Sequence, residues 1–451
     1  MTQLGEAIAR YHKLLESDSY KDLSWVGALH EHMAAQNLTV SGKPVTPFLR
    51  PHFLSTRQYT TLVKAAELVT GSILRIKQMA LQNPALLTRM ELLPAEKMLA
   101  SVNPGYSHLA VASQLESQIH NGSLRFTRYS AEIPTGIAYG EVLAAVFYDC
   151  PLVKEFRKRY GLTKLAGEKY LLAAILKSFK EFGGKKHPQI AVLEFRQPFQ
   201  TTESHENLLL RDYFKRHGHA AEVVAPEQLE YRNGILRKGN FTIDVMFRRL
   251  GVHEFLVHYD LSHPLVRAYR EGKVCVINSF RSELAQKRSL FDLLTDETIT
   301  ASFPSAERKA IREHIPWTRV VTANHSTYQG DTIDLIGHMM KNRERLVLRP
   351  NDDSGEQQTF EGASLQEPAW ERAIKTALRS PYVVQETSPA VTGEFPVYHF
   401  DRLQMREMRI DVHTHTFLGK VHGCSTNLSP FSNQGFSTVA GLAPTFLIDS
   451  R

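Results

Sequence analysis

The spacing of apolar residues changes near residue 105, and that change decides what the chain can fold into. Before it, Leu4, Ile8, Tyr11 and Leu14–Leu15 recur at helical spacing, as do Leu62, Ala65, Leu68, Val69 and Ile73 between Thr56 and Gln82. Residues three and four apart share one face of a helix, so each segment offers one apolar stripe. Prolines at 44, 47 and 51 place a loop between the two. After residue 105 the period shortens. A strand, an Asn121-Gly122 turn and a second strand through Leu124–Ser130 make a hairpin pattern, because that dipeptide tolerates the positive φ of a tight hairpin turn. A Pro-Gly turn follows at Pro134 and Gly136.

Residues 142–183 read as helix again. Pro188 then opens a β-α-β pattern: strand Gln189–Phe195, helix Glu203–His217, strand Ala220–Val224. Tyr231 to Asn240 is a second hairpin, and Thr242–Arg248 and Val274–Asn278 are further strands. Helix is expected over 282–294 and 367–380, strand over 345–350, 382–386 and 408–420. The class is α/β (α+β). The segments divide as a helical region at 1–104, a hairpin-bearing segment at 105–187, a small α/β unit at 188–250 and the remainder at 251–451.

Composition narrows the function. Cys150, Cys275 and Cys424 form no CxxC pair, which argues for a reducing compartment and against a disulfide framework or structural zinc. The 54 basic and 47 acidic residues leave +7, spread in short mixed blocks such as Lys185-Lys186-His187, so a solvated surface is expected and no nucleic-acid face. The first residues lack an apolar export core, and no run of 18 apolar residues occurs. The expectation is a cytoplasmic protein with no membrane contact, and a homo-oligomer stays open.

Several segments, in order, resemble the circularly permuted ATP-grasp ligases, the group that includes glutathionylspermidine synthetase. They are RFTRYSAEIPTGIAYGE (125–141), TIDVMFRR (242–249), VCVINSFRSELAQKRSLFDLL (274–294), RLVLRPNDDSGE (345–356), AWERAIKTAL (369–378), SPYVVQE (380–386) and MRIDVHTHTFLGKVHGCSTNLS (408–429). The resemblance covers roughly 105–448 and implies a circularly permuted ATP-grasp fold with the β-α-β unit inserted. It implies ATP, Mg²⁺ and an acyl-phosphate route joining a small-molecule carboxylate to an amine. By that resemblance Lys287, Arg349 and Arg281 hold phosphates. Asn278 and Arg281 shape the loop entering the small helix, and Gln385 and Glu386 read the nucleoside. Glu116 and Glu132 hold the metal, and Arg409 or Arg248 meets a substrate carboxylate.

The sequence also departs from the pattern. The Glu-x-Asn that completes the metal site reads Arg128-Tyr129-Ser130. Strand alternation points positions i and i+2 the same way, so Arg128 stands where a Mg²⁺ carboxylate belongs. A guanidinium there repels a unit positive charge by about 4 kcal/mol at roughly 4 Å and an effective dielectric near 20. The phosphate-covering loop reads Asp352-Asp353-Ser354-Gly355-Glu356, with one glycine for backbone approach to phosphate, and Thr426-Asn427-Leu428-Ser429 lacks the expected Arg. Two readings follow: a ligase with altered metal coordination, in which Arg128 replaces the cation, or a catalytically degenerate relative that binds an anionic ligand or partner. A separate possibility is Asp411-Val-His413-Thr-His415, three ligands for Zn²⁺ or Fe²⁺ on one strand face, against its plain reading as a core strand.

Overall fold

A computed structural model of the chain describes residues 2–450 apart from 41, 121, 196–204, 353–357, 401 and 432–438. Its centre is an antiparallel sheet built on the 16-residue strand Arg402–Phe417. The strand's first half pairs with Thr392–His399 and its second half with the hairpin strand Ala112–His120. Lys420–Pro430 lies along the other side, and Ser123–Ser130 closes the hairpin. Met408, Ile410 and Val412 are buried on one face against Leu62, Val69 and Ile73 of the helix Thr56–Gln82. That helix keeps the bounds its spacing predicts, and it opens on a capping box of Ser55 and Gln58. The alternate positions Arg409, Asp411, His413 and His415 face the other way.

A second sheet is wholly parallel, in the order Cys275–Ile277, Val245–Arg248, Ile190–Leu193, Ala221–Val224. Every residue of Ile190–Leu193 and Val245–Arg248 is buried, as a sheet covered on both faces requires. The α/β unit therefore runs past residue 250, to Ile277. A short apolar run shows a buried strand but not which sheet it joins. The third sheet, Thr318–Val320, Tyr382–Glu386, Leu346–Pro350 and Phe360–Glu361, is antiparallel. The helices Leu335–Lys341 and Glu367–Ala377 cover one of its faces, around the fully buried Trp370.

The region 1–104 is not purely helical. His52–Ser55 is a strand, parallel to Thr445–Ser450, which in turn pairs with Tyr160–Lys164. Four residues are too few to show a period, and their partner lies at the far end of the chain. No helix of the described residues is long and apolar enough to cross a membrane. All three cysteines are free and buried.

Two consecutive arginines fasten the parallel sheet to the central one. Arg248 is fully buried. Its Nη1 donates to Glu132 Oε1 at 2.8 Å and its Nη2 to Ser282 Oγ at 2.8 Å, while Nε donates to the Asn278 carbonyl at 3.1 Å. Arg249 points to the opposite side, as the next residue of a strand must. It pairs with Glu206 at 2.9 Å and Asn207 at 3.0 Å, and donates to the carbonyl of Pro134. Both therefore grip the turn that follows the hairpin.

Two predictions concern buried charge. Arg248→Met strands Glu132 without its cation and costs about 3–5 kcal/mol of unfolding free energy, whereas Glu132→Gln with Arg248→Met recovers most of it, measured by chemical denaturation. Glu168 is buried with Oε1 unpartnered, and burial, then Glu141, pushes its carboxyl up to about 8. The folded state thus holds a proton that the unfolded chain releases near its ordinary 4.5, so stability falls as pH rises from there toward 8. Glu168→Gln removes that penalty, raising the melting temperature at pH 8 and leaving it almost unchanged at pH 5.

Candidate functional site

The polar face of the central sheet is a register of paired side chains. Arg128 lies directly across from Glu116, with 3.7 Å between Nη1 and Oε1. Glu116 in turn lies opposite His413, Gln114 opposite His415, and Asn427 opposite Asp411. Arg409 Nε stands 3.4 Å from Asp411. His413 is placed among the amides of Gln114 and Asn427 at 3.3–3.4 Å. His415 Nε2 meets the Thr135 carbonyl at 3.1 Å and Ser425 Oγ at 3.2 Å. Burial lowers the pKa of His415 to about 3, so its ring is neutral. The three residues of the Asp-x-His-x-His pattern do share a face. They are spread among separate hydrogen-bond partners and gather into no metal-binding group among the described residues.

The third sheet presents Arg349 and Gln385 to this face. Arg349 pairs with Val383 and Val347 with Gln385, which sets the two polar side chains on one side. Gln385 Nε2 donates to Thr318 Oγ1 at 3.0 Å. Glu386, the next residue, points to the other side and accepts from Tyr328 OH at 2.8 Å. The resemblance treated Gln385 and Glu386 as one pair, and strand alternation separates them. Arg349 makes no hydrogen bond or ion pair with a described residue, and its Nε is buried. Its pKa is lowered to about 10, by burial first and then by Arg288 and Arg409, with Glu116 and Glu361 opposing, so it stays charged at neutral pH. Arg128, Lys287, Arg288 and Gln385 line a crevice of about 10 Å³, room for one water.

The remaining expected residues are held elsewhere. Lys287 Nζ is buried among Glu96 at 3.0 Å, Glu283 at 2.8 Å and Asp352 at 2.5 Å. Burial opposes its charge, but the carboxylates overcome burial and hold its proton more firmly than usual. Burial and the neighbouring Glu132 push the Glu283 carboxyl well up. Arg281 donates to the carbonyls of Ala100, Ser101 and Val102 at 2.9–3.1 Å and so caps the helix Pro94–Ser101. Asn278 spends its amide on backbone: Oδ1 accepts from Val111 and Ala112, and Nδ2 donates to the carbonyls of Ala112 and Ala131. Residues 353–356 of the expected phosphate loop lie outside the described residues.

A divalent cation does not fit the hairpin as expected. Glu116 faces a guanidinium in register, and Glu132 is committed to Arg248 and to the N–H of Val252. Glu96, His253 and Asp352 do bring three ligand atoms within 4.8 Å of one another. The Lys287 ammonium is already bonded to two of the three. Sequence reasoning missed Arg288, although it adjoins Lys287 at the start of the small helix.

No protein-family model matches the chain, and no curated protein does. Solved structures do. A glutathione synthetase-like effector, GSS30, from Globodera pallida in its apo form superposes with a TM-score of 0.62 at 12% identity, covering 94% of this chain and 96% of that one. A putative gamma-glutamylcysteine synthetase from Methylobacillus flagellatus gives 0.43 at 11% identity, covering 88% and 87%. A RimK domain ATP-grasp protein from Sphaerobacter thermophilus gives 0.30 at 15% identity, covering 58% and 90%. Over nearly its whole length the chain has the mixed α/β, ATP-grasp-like fold of the glutathione synthetase-like effector.

Proposed function

We propose that the chain is a circularly permuted ATP-grasp relative of the carboxylate–amine ligases that grips a polyphosphate anion, ATP first, with arginines in place of a Mg²⁺–carboxylate bridge, and does so without ligase turnover. The observation that carries this is Arg349, half-buried beside Arg288 and Arg409 with its buried Nε unpartnered, and Arg128 on the facing sheet. Guanidinium groups pair with phosphate oxygens through two parallel hydrogen bonds and need no metal to do so. Forming an acyl phosphate asks for more, because charge must be neutralised at the transferred group by cations held on carboxylates. Here Glu116 and Glu132 answer to Arg128 and Arg248 instead. Glu116, beside Arg128 and acting on Arg349, offsets part of the repulsion among these arginines.

A working ligase with a relocated cation, acting on a small-molecule carboxylate and amine, is the second reading. It is favoured by the Glu96, His253 and Asp352 cluster. A cytoplasmic location accords with three free, buried thiols.

Thermal unfolding with ATP, in EDTA or in excess Mg²⁺, tests the proposal. Equal stabilisation in both is expected, about 2.7 kcal/mol at 100 times the dissociation constant. Arg349→Ala should abolish it. Arg128→Glu with Ser130→Asn should make it depend on Mg²⁺. Stabilisation seen only with Mg²⁺ and removed by His253→Ala would establish the relocated-cation reading instead, and no stabilisation by ATP would sink both.

A further inference from the structure

A second cavity lies outside the cleft between the central and third sheets, at the edge of the third sheet. It measures about 560 Å³, within the roughly 300–1,000 Å³ of small-molecule sites. Glu386 lines it, from the side of the strand opposite Gln385 and Arg349. The edge strand Thr318–Val320 contributes Arg319, and Trp317 precedes it. The helix Ser305–His314 turns one face to the space: Arg308, Ile311 and Arg312, with Ile315 just beyond, recur at spacings of three and four. Arg125 enters from the hairpin.

The charges are unbalanced. Arg125, Arg308, Arg312 and Arg319 face Glu297 and Glu386, which leaves a net charge of +2. Arg319 is occupied, donating to Ser326, Thr295 and Thr327, and its guanidinium carbon sits 5.3 Å from the Trp317 ring centroid. The other three arginines make no side-chain hydrogen bond or ion pair with a described residue, and the Nε of Arg308 is buried. Buried donors are almost always paired in folded proteins, so an arginine left this way beside an indole and two isoleucines has the character of a binding group.

We propose that this cavity binds a mononucleotide-sized aromatic phosphate monoester. The ring lies against Trp317, Ile311 and Ile315, and the phosphate sits among Arg308, Arg312 and Arg125. A phosphate monoester carries about −1.5 to −2 at neutral pH, which matches the excess charge of the walls. The site is independent of the cleft and does not require the reading proposed for it.

Titration with AMP, followed by tryptophan emission, tests this. The chain has three tryptophans; Trp25 and Trp370 are buried, so Trp317 is the reporter. Saturable quenching is expected, absent in Trp317→Phe and absent with adenosine in place of AMP. Arg308→Ala with Arg312→Ala should weaken it roughly tenfold or more, the loss of a charged hydrogen bond or two. Arg312→Glu, at an exposed position, checks the same effect with little risk to folding. Arg349→Ala should leave the AMP curve unchanged. No saturable quenching at millimolar AMP overturns the proposal, as does quenching lost in Arg349→Ala and kept in the Arg308 and Arg312 variants.

Discussion

The molecule depends on a buried ion pair, Arg248 with Glu132. The hairpin belongs to the antiparallel sheet and the arginine to the end of a parallel strand, so the contact joins two architectures that share no backbone ladder. Burying two charges is expensive, and the expense is offset only when the remaining donors and acceptors are filled. They are. Ser282, the Asn278 carbonyl and the N–H of Val252 complete the set. Arg249, facing away, repeats the arrangement with Glu206 and Asn207. Asn278 finishes the joint by stitching the parallel sheet to the first hairpin strand.

The same economy explains why the cleft is basic. Each acidic residue that a metal would need has a cation of the chain's own beside it: Arg128 for Glu116, Arg248 for Glu132, Lys287 for Glu96, Glu283 and Asp352. The carboxylates are neutralised internally. What is left over on the facing sheet is positive, centred on Arg349. On the reading proposed above, such a cleft would attract anions by its own field and gain little from a divalent ion.

Much of the fold was legible in the residue pattern. The helix Thr56–Gln82 and the strand Tyr382–Glu386 have the bounds their spacing predicts, and the hairpin falls where Asn121-Gly122 puts it. Local periodicity carries that information. Partnership is different, because it depends on contacts distant in sequence. Lys287 looked like a phosphate ligand, but residues 96 and 352 close around it. Arg281 looked like part of an active-site loop, and its donors finish a helix about 180 residues upstream. The split between Gln385 and Glu386 was available from alternation alone. The family resemblance, which groups them, hid it. Arg308 and Arg312 carried a helical spacing that signalled one shared face but not what that face would meet.

The strand His52–Ser55 completes its sheet only with Thr445–Ser450, and Thr56 Oγ1 donates to Asp449 across 393 residues. A chain emerging from the ribosome at roughly 5–20 residues per second makes the earlier strand wait on the order of 20–80 s for its partner. Until then four residues of exposed strand edge, with Phe53 and Leu54, stand unpaired. Closing so long a loop also slows the search once the partner exists. This corner of the molecule shares that delay with the central sheet on Arg402–Phe417, and it closes last, when nearly the whole chain has been made.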